Sequence, residues 1–220
     1  MTAPKSYTQW SLFNKCGAQY KFQYIDKIPR PARSASADRG VDIHAAVEAI
    51  INKERTTFPE EWGHLEHYTD FFLNLAEMGA IAELPFKLDE NWEPTDEKPW
   101  IRGFIDIIVP PSDDRENLYI YELKTGNPYD DHVHQRQFYG TVGLGLYNAP
   151  LVHVIGVYLD QGMNEQNTYE AAKLKTYRYF WKQRLDMLDR EEGQVPDPGI
   201  HCRWCPYSAD KGGPCKFSGN

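Results

Sequence analysis

An α/β fold built on one mixed sheet flanked by helices is what this sequence predicts, and three observations carry the prediction. In IAELPFKLD and WIRGFIDIIV the helical hydrophobic period of the preceding segments gives way to strand-like runs. WIRGFIDIIV and LYIYELK are separated by the eight residues PPSDDREN, which makes them a hairpin. Helical HVHQRQFYGTVGLGLYN then lies between LYIYELK and LVHVIGVYLD, a strand, helix, strand succession that forms a crossover unit and places residues 118–160 in a mixed sheet.

The remaining elements follow in chain order. SYTQWSLFNKCGAQYKFQYIDKIP interleaves Trp10, Phe13, Tyr20 and Ile25 with polar residues and begins as a capped helix. PRPARSASADRG reads as a linker. From Gly40, VDIHAAVEAIINKE has amphipathic spacing, with His44 and Glu48 four apart on one face. A third helix is expected over about residues 60–79. NWEPTDEK is turn-rich, and Gly140, Gly143 and Gly145 are small enough for the crossover helix to pack closely on a sheet. Residues 168–192 read as a long charged and aromatic helix. The tail VPDPGIHCRWCPYSADKGGPCKF has no core-forming pattern of its own and needs pinning, for which three closely spaced thiols offer the means.

Composition narrows the class. With 220 residues, 41% hydrophobic and 25% charged, the chain is long enough for one sizeable core and is not generally disordered. A formal charge of -8 excludes a bulk polycation clamping duplex DNA, though a local basic groove is compatible with it. No run approaches the roughly 20 apolar residues of a membrane span, and MTAPKSYTQW lacks the apolar stretch of a secretory signal, so the expected address is cytoplasmic. Cys16 stands near the start, whereas Cys202, Cys205 and Cys215 crowd the end. Without a secretory context that cluster reads as thiolate ligation rather than disulfides.

The hairpin carries the chemistry. In YELK, Glu122 and Lys124 point to one side of the strand and Tyr121 and Leu123 to the other. Asp106, inside the apolar run of the preceding strand, can sit opposite them, and an unpaired charge there would be costly. Two carboxylates with one ammonium suit a hard cation such as Mg²⁺ or Mn²⁺, with the Leu123 carbonyl as a further ligand and His44 as a possible nitrogen ligand. Such a metal lowers the pKa of bound water and offsets charge on a phosphodiester, while Lys124 orients or helps activate the attacking water. Gln135 and Tyr139, four apart on the next helix, offer an amide and a phenol on one face. His132, His134 and Arg136 make the start of that helix basic and suited to backbone phosphates. Trp10, Tyr20 and Trp204 are candidates for stacking on bases.

The ordered set Gly40-x3-His44, Gly103-x2-Asp106, Glu122-x-Lys124 and Gln135-x3-Tyr139, flanked by Cys16 and the late cysteines, resembles the RecB-type branch of the PD-(D/E)XK nucleases. It is most similar to the iron-sulfur members, which include stand-alone exonucleases, CRISPR-associated nucleases and the helicase-linked AddB nuclease domain. The resemblance implies a restriction-endonuclease-like core in which His44, Asp106 and Glu122 ligate the catalytic metal and Lys124 is the catalytic lysine, with Gln135 and Tyr139 forming the branch's Q-x3-Y helix. Ile105 stands where the family pattern has a proline. It further implies a 4Fe-4S cluster on Cys16, Cys202, Cys205 and Cys215. The residues themselves leave zinc open, because four thiolates suit either group and spacing does not separate them. The nine residues between Cys205 and Cys215 are long for the family, with SADKGG expected as a flexible insertion.

These readings converge on a single nuclease domain, with residues 40–192 as the core and residues 1–30 with 193–220 as a metal-cluster clasp. The expected activity is metal-dependent exonucleolytic hydrolysis of single-stranded DNA or frayed ends, with a helicase, recombination or CRISPR component as a possible partner. The rival is a noncatalytic DNA-binding or assembly subunit that keeps the fold.

Overall fold

The computed structural model describes residues 3–29, 35–128 and 131–218. These divide into two compact units, one comprising Met1–Pro4 with Ser34–Tyr179 and the other Lys5–Arg33 with Phe180–Asn220. The division falls earlier in the chain than residue 193, where the sequence reading starts the clasp.

The first unit holds a five-stranded sheet in the order β1-β2-β3-β4-β5: β1 Ile81–Leu88, β2 Ile101–Val109, β3 Leu118–Lys124, β4 Leu151–Tyr158 and β5 Met163–Glu170. β3 and β4 run parallel and every other pair antiparallel, as a crossover between the central strands requires. That crossover is α5, Asp131–Tyr147. One sheet face is covered by α3, Ala35–Ile51, and α4, Thr69–Glu77, whose Ile43, Val47, Ile50, Phe72 and Leu75 pack with Ile107, Val109, Leu123, Ile155 and Val157. α5 lies close on Leu118 and Ile120: a Cβ on Gly143 would come within 2.8 and 2.9 Å of their side chains, and one on Gly140 would meet the Tyr169 ring. Gly103 answers a similar need across the β1–β2 ladder, where it opposes Phe86 and a Cβ would come 2.6 Å from that ring.

In the second unit, α1, Tyr7–Lys15, is capped by the Ser6 hydroxyl, which accepts from the Gln9 amide at 3.2 Å. A short α2, Gly17–Tyr20, leads into a π-helical turn, Lys21–Ile25. Trp10 stands edge-on to Trp181 at 5.0 Å, and the Arg184 guanidinium lies 4.8 Å from the Trp181 ring. The tail is tied back by the Tyr207 hydroxyl donating to the Ile28 carbonyl and by the Val195 carbonyl accepting from the Ala18 amide.

Four expectations are corrected. The helix placed over 168–192 is α6, Leu174–Asp186; residues 163–170 are the edge strand β5. MNEQNTYE has almost no apolar period because its faces are largely solvated and only Tyr169 is buried, so its strand character comes from backbone pairing with β4. The helix over 60–79 is a 3-10 segment, Glu60–Tyr68, with Trp62 outside helical geometry, followed by α4. Part of the supposed linker, from Ala35, belongs to α3, while residues 30–34 lie outside the described residues. SADKGG is a hydrogen-bonded turn: the Gly213 amide donates to the Ser208 carbonyl and the Cys215 amide to Tyr207, which returns Cys215 toward the other thiols. No helix among the described residues is long and apolar enough to cross a membrane.

Candidate active site

Asp106 sits where two strand ladders are interrupted. On one side, β1 pairs Ala82 with Ile107 and Leu84 with Ile105, so Glu83 faces Asp106, yet that pair is missing from the ladder. On the other, the β2–β3 ladder stops at Ile107 with Tyr121. The Asp106 carboxylate takes over there, accepting from the Leu123 amide at 2.8 Å. A β3 backbone donor left without a β2 partner beyond the end of that ladder is thereby satisfied by the side chain that the site needs held still.

His44 on α3 closes the group, with Nδ1 3.7 Å from both Glu83 and Asp106. One ligand atom from each of His44, Glu83 and Asp106 can be chosen so that all lie within 4.8 Å of one another, a mixed nitrogen and oxygen donor set suited to a divalent cation. Glu83 adopts φ +46°, a left-handed conformation rare for a residue with a long side chain and characteristic of functional sites. Sequence reasoning missed it, although a carboxylate inside the apolar run IAELPF is the same signal that singled out Asp106.

Glu122 and Lys124 form the second half of the site, together with Gln135 on α5. Glu122, 4% exposed, accepts on Oε1 from Lys124 at 2.9 Å and from the Gln135 amide at 2.6 Å, while the Gln135 carbonyl oxygen accepts from Lys124 at 2.7 Å. Its other oxygen, Oε2, is buried without a hydrogen-bond partner. Such an orphan is costly unless something electropositive meets it. Of the four ligands expected from sequence, the structure brings His44 and Asp106 into one compact group with Glu83. Glu122 stands beside that group, and Leu123 contributes its amide to Asp106.

The electrostatics follow from this crowding. Burial alone would lower the His44 pKa, but the carboxylates of Glu83, Asp106 and Glu122 outweigh it and hold the imidazole at about 9. Burial and the nearby Glu122 charge push Asp106 up to about 7, against the pull of His44 and Lys124. For Lys124, burial opposes the charge, yet Glu122 and Asp106 raise its pKa, so it remains an ammonium.

Tyr139, one turn beyond Gln135, is buried edge-on to Phe86 among aromatic side chains. Arg136 is not a free phosphate contact: it is 5% exposed, paired with Glu165 at 2.9 Å and bonded to Asn167 at 2.6 Å. His132 lies 3.0 Å from the Tyr158 hydroxyl. In the second unit, Cys16, Cys202, Cys205 and Cys215 line one small cavity and form no disulfide. Burial raises the Cys205 thiol pKa, and the other three cysteines add to the effect. No three of these sulfurs lie within 4.8 Å of one another, so they do not form a compact metal site as they stand.

The sheet topology and a His44–Glu83–Asp106 group that could hold a divalent cation are consistent with a nuclease-type active site, and comparison with known proteins agrees at the level of the family. The chain matches the PD-(D/E)XK nuclease superfamily over residues 4–209, and it belongs to that family. Among solved structures it is similar to one described as "Crystal structure of SSO0001", with a TM-score of 0.50 and 16% identity, covering 93% of this chain and 83% of that one. At this identity the likeness is one of fold. No curated protein matches the sequence.

Proposed function

We propose that this protein is a Mg²⁺- or Mn²⁺-dependent deoxyribonuclease of the RecB-like type, acting exonucleolytically on single-stranded or frayed DNA ends. The observation that carries the reading is the meeting of His44, Glu83 and Asp106 beside the Glu122–Lys124–Gln135 triad, with the Glu122 Oε2 orphaned. A divalent cation held by His44, Glu83 and Asp106, within reach of Glu122, would supply Lewis acidity and a more acidic bound water. Leu123 fixes Asp106 through its amide, and Gln135 fixes both Glu122 and Lys124. Lys124, kept cationic, orients the attacking water and meets the negative charge that builds on the phosphoryl oxygens. A helicase or recombination partner would supply unwinding, for which the site offers no chemistry.

The same reading gives the cysteine cavity a 4Fe-4S cluster as a structural clasp. Its support is the four-thiol lining of one cavity, a donor set that suits such a cluster.

The test uses anaerobically purified wild type and Asp106→Ala on end-labelled linear and covalently closed single-stranded DNA, with Mg²⁺, Mn²⁺ or chelator. Digestion confined to linear DNA, dependent on metal and lost in the variant, is the expected result. No cleavage of either substrate by folded protein would replace this reading with a noncatalytic DNA-binding or assembly subunit.

A further inference from the structure

Of the three aromatics that the sequence offers for base stacking, two are core residues. Trp10 and Tyr20 are 4% and 6% exposed, packed edge-on to Trp181 and Phe13. Trp204 is 68% exposed although it stands between the buried Cys202 and Cys205. Its backbone is braced on both sides: the Cys205 amide donates to the Cys202 carbonyl at 3.1 Å, and the Lys211 ammonium donates to the carbonyls of Arg203 and Cys205 at 2.6 and 3.2 Å. The indole is therefore presented to solvent from a fixed support.

Charge separates the possible occupants. Across residues 199–218 the exposed Arg203, Lys211 and Lys216 face a single carboxylate, Asp210, in a chain whose formal charge is -8. The large hydrophobic residues exposed across these positions are Trp204 and Ile200, while the following Tyr207 is 1% exposed. A stable protein interface needs a broader apolar centre than that. One exposed aromatic ring on a turn that carries more cations than carboxylates matches a nucleobase and its neighbouring phosphates.

We propose that Trp204 is a stacking platform for a base of single-stranded nucleic acid, with Arg203 and Lys211 beside it to meet the backbone. The proposal rests on the nucleic-acid reading above and assigns it a contact in the second unit, away from the hydrolytic residues in sequence and role. Its test is fluorescence anisotropy of labelled oligo(dT), and of an abasic oligonucleotide of equal length, on full-length Asp106→Ala protein with and without Trp204→Ala or Trp204→Phe. Binding of oligo(dT) is expected to weaken about 10- to 100-fold in Trp204→Ala and to be largely kept in Trp204→Phe, with no difference on the abasic strand. Unchanged oligo(dT) binding in Trp204→Ala would overturn the proposal and leave this face to a protein partner. An equal loss on the abasic strand would overturn it as well, because a base would then not be the group recognised. Hydrolysis by the wild type is scored separately, so failure of the stacking site and failure of the nuclease reading are distinguishable.

Discussion

Glu83 and Asp106 face each other across β1 and β2, two carboxylates at opposed positions with His44 Nδ1 3.7 Å from each. Directly opposed like charges destabilise a sheet, and Glu83 adds a left-handed backbone to the cost. Both costs make sense if a cation lies between the pair. Glu83→Gly removes a ligand and relaxes the backbone together. We expect Mn²⁺ affinity, followed by titration calorimetry, to fall about 10- to 100-fold. Stability in chelator should stay within about 1 kcal/mol of wild type. Wild-type Mn²⁺ affinity in this variant would remove Glu83 from the site.

Lys124 neutralises a carboxylate that has almost no solvent. Lys124→Ala leaves Glu122 buried beside Asp106, and urea denaturation should show a loss of about 3 kcal/mol along with the loss of cleavage. Adding Glu122→Gln to that variant should restore most of the stability and none of the activity. If the double variant is no more stable than the single one, the ion pair is not what Lys124 contributes to the fold.

The pH dependence has a definite sign. Asp106 titrates near 7 in the folded, metal-free protein, above its ordinary 3.8, so stability from this group is present below about pH 4 and lost as pH rises toward 7. His44, raised from 6.5 to about 9, contributes in the same direction, with its share lost between those values. A cation needs both groups deprotonated, so its binding releases protons and strengthens over the same range. The increase in Tm produced by a fixed Mn²⁺ concentration should grow steadily from about pH 6 to about pH 9. A shift independent of pH would show that these two groups are not the ligands.

Much of this site was legible because its residues break local rules. Asp106 is a charge inside an apolar strand, and Glu122 and Lys124 share a face by strand alternation alone, so the hairpin announced itself. Glu83 breaks the same rule, but its partner in register lies on a strand reached through a turn-rich segment, and the sequence does not reveal the opposed pair. Arg136 looked like a phosphate contact from helix position; only β5, whose Glu165 and Asn167 bind it, shows otherwise. β5 itself escaped notice because a solvated edge strand has no hydrophobic period to read.

The two centres should fail independently. The four cysteines all belong to the second unit, and Asp106 with its partners to the first. If the cavity holds the proposed 4Fe-4S cluster, Cys16→Ser and Cys215→Ser should each abolish its visible charge-transfer absorbance in anaerobically purified protein and lower the Tm, because the cluster would then tie the tail to the first helices. Asp106→Ala should then keep that absorbance and whatever iron the wild type carries while losing Mn²⁺ binding. Iron and sulfide analysis beside Mn²⁺ calorimetry on the three variants checks both halves. A colourless wild type carrying zinc would assign the cavity to zinc instead, and loss of iron in Asp106→Ala would show that the centres are coupled.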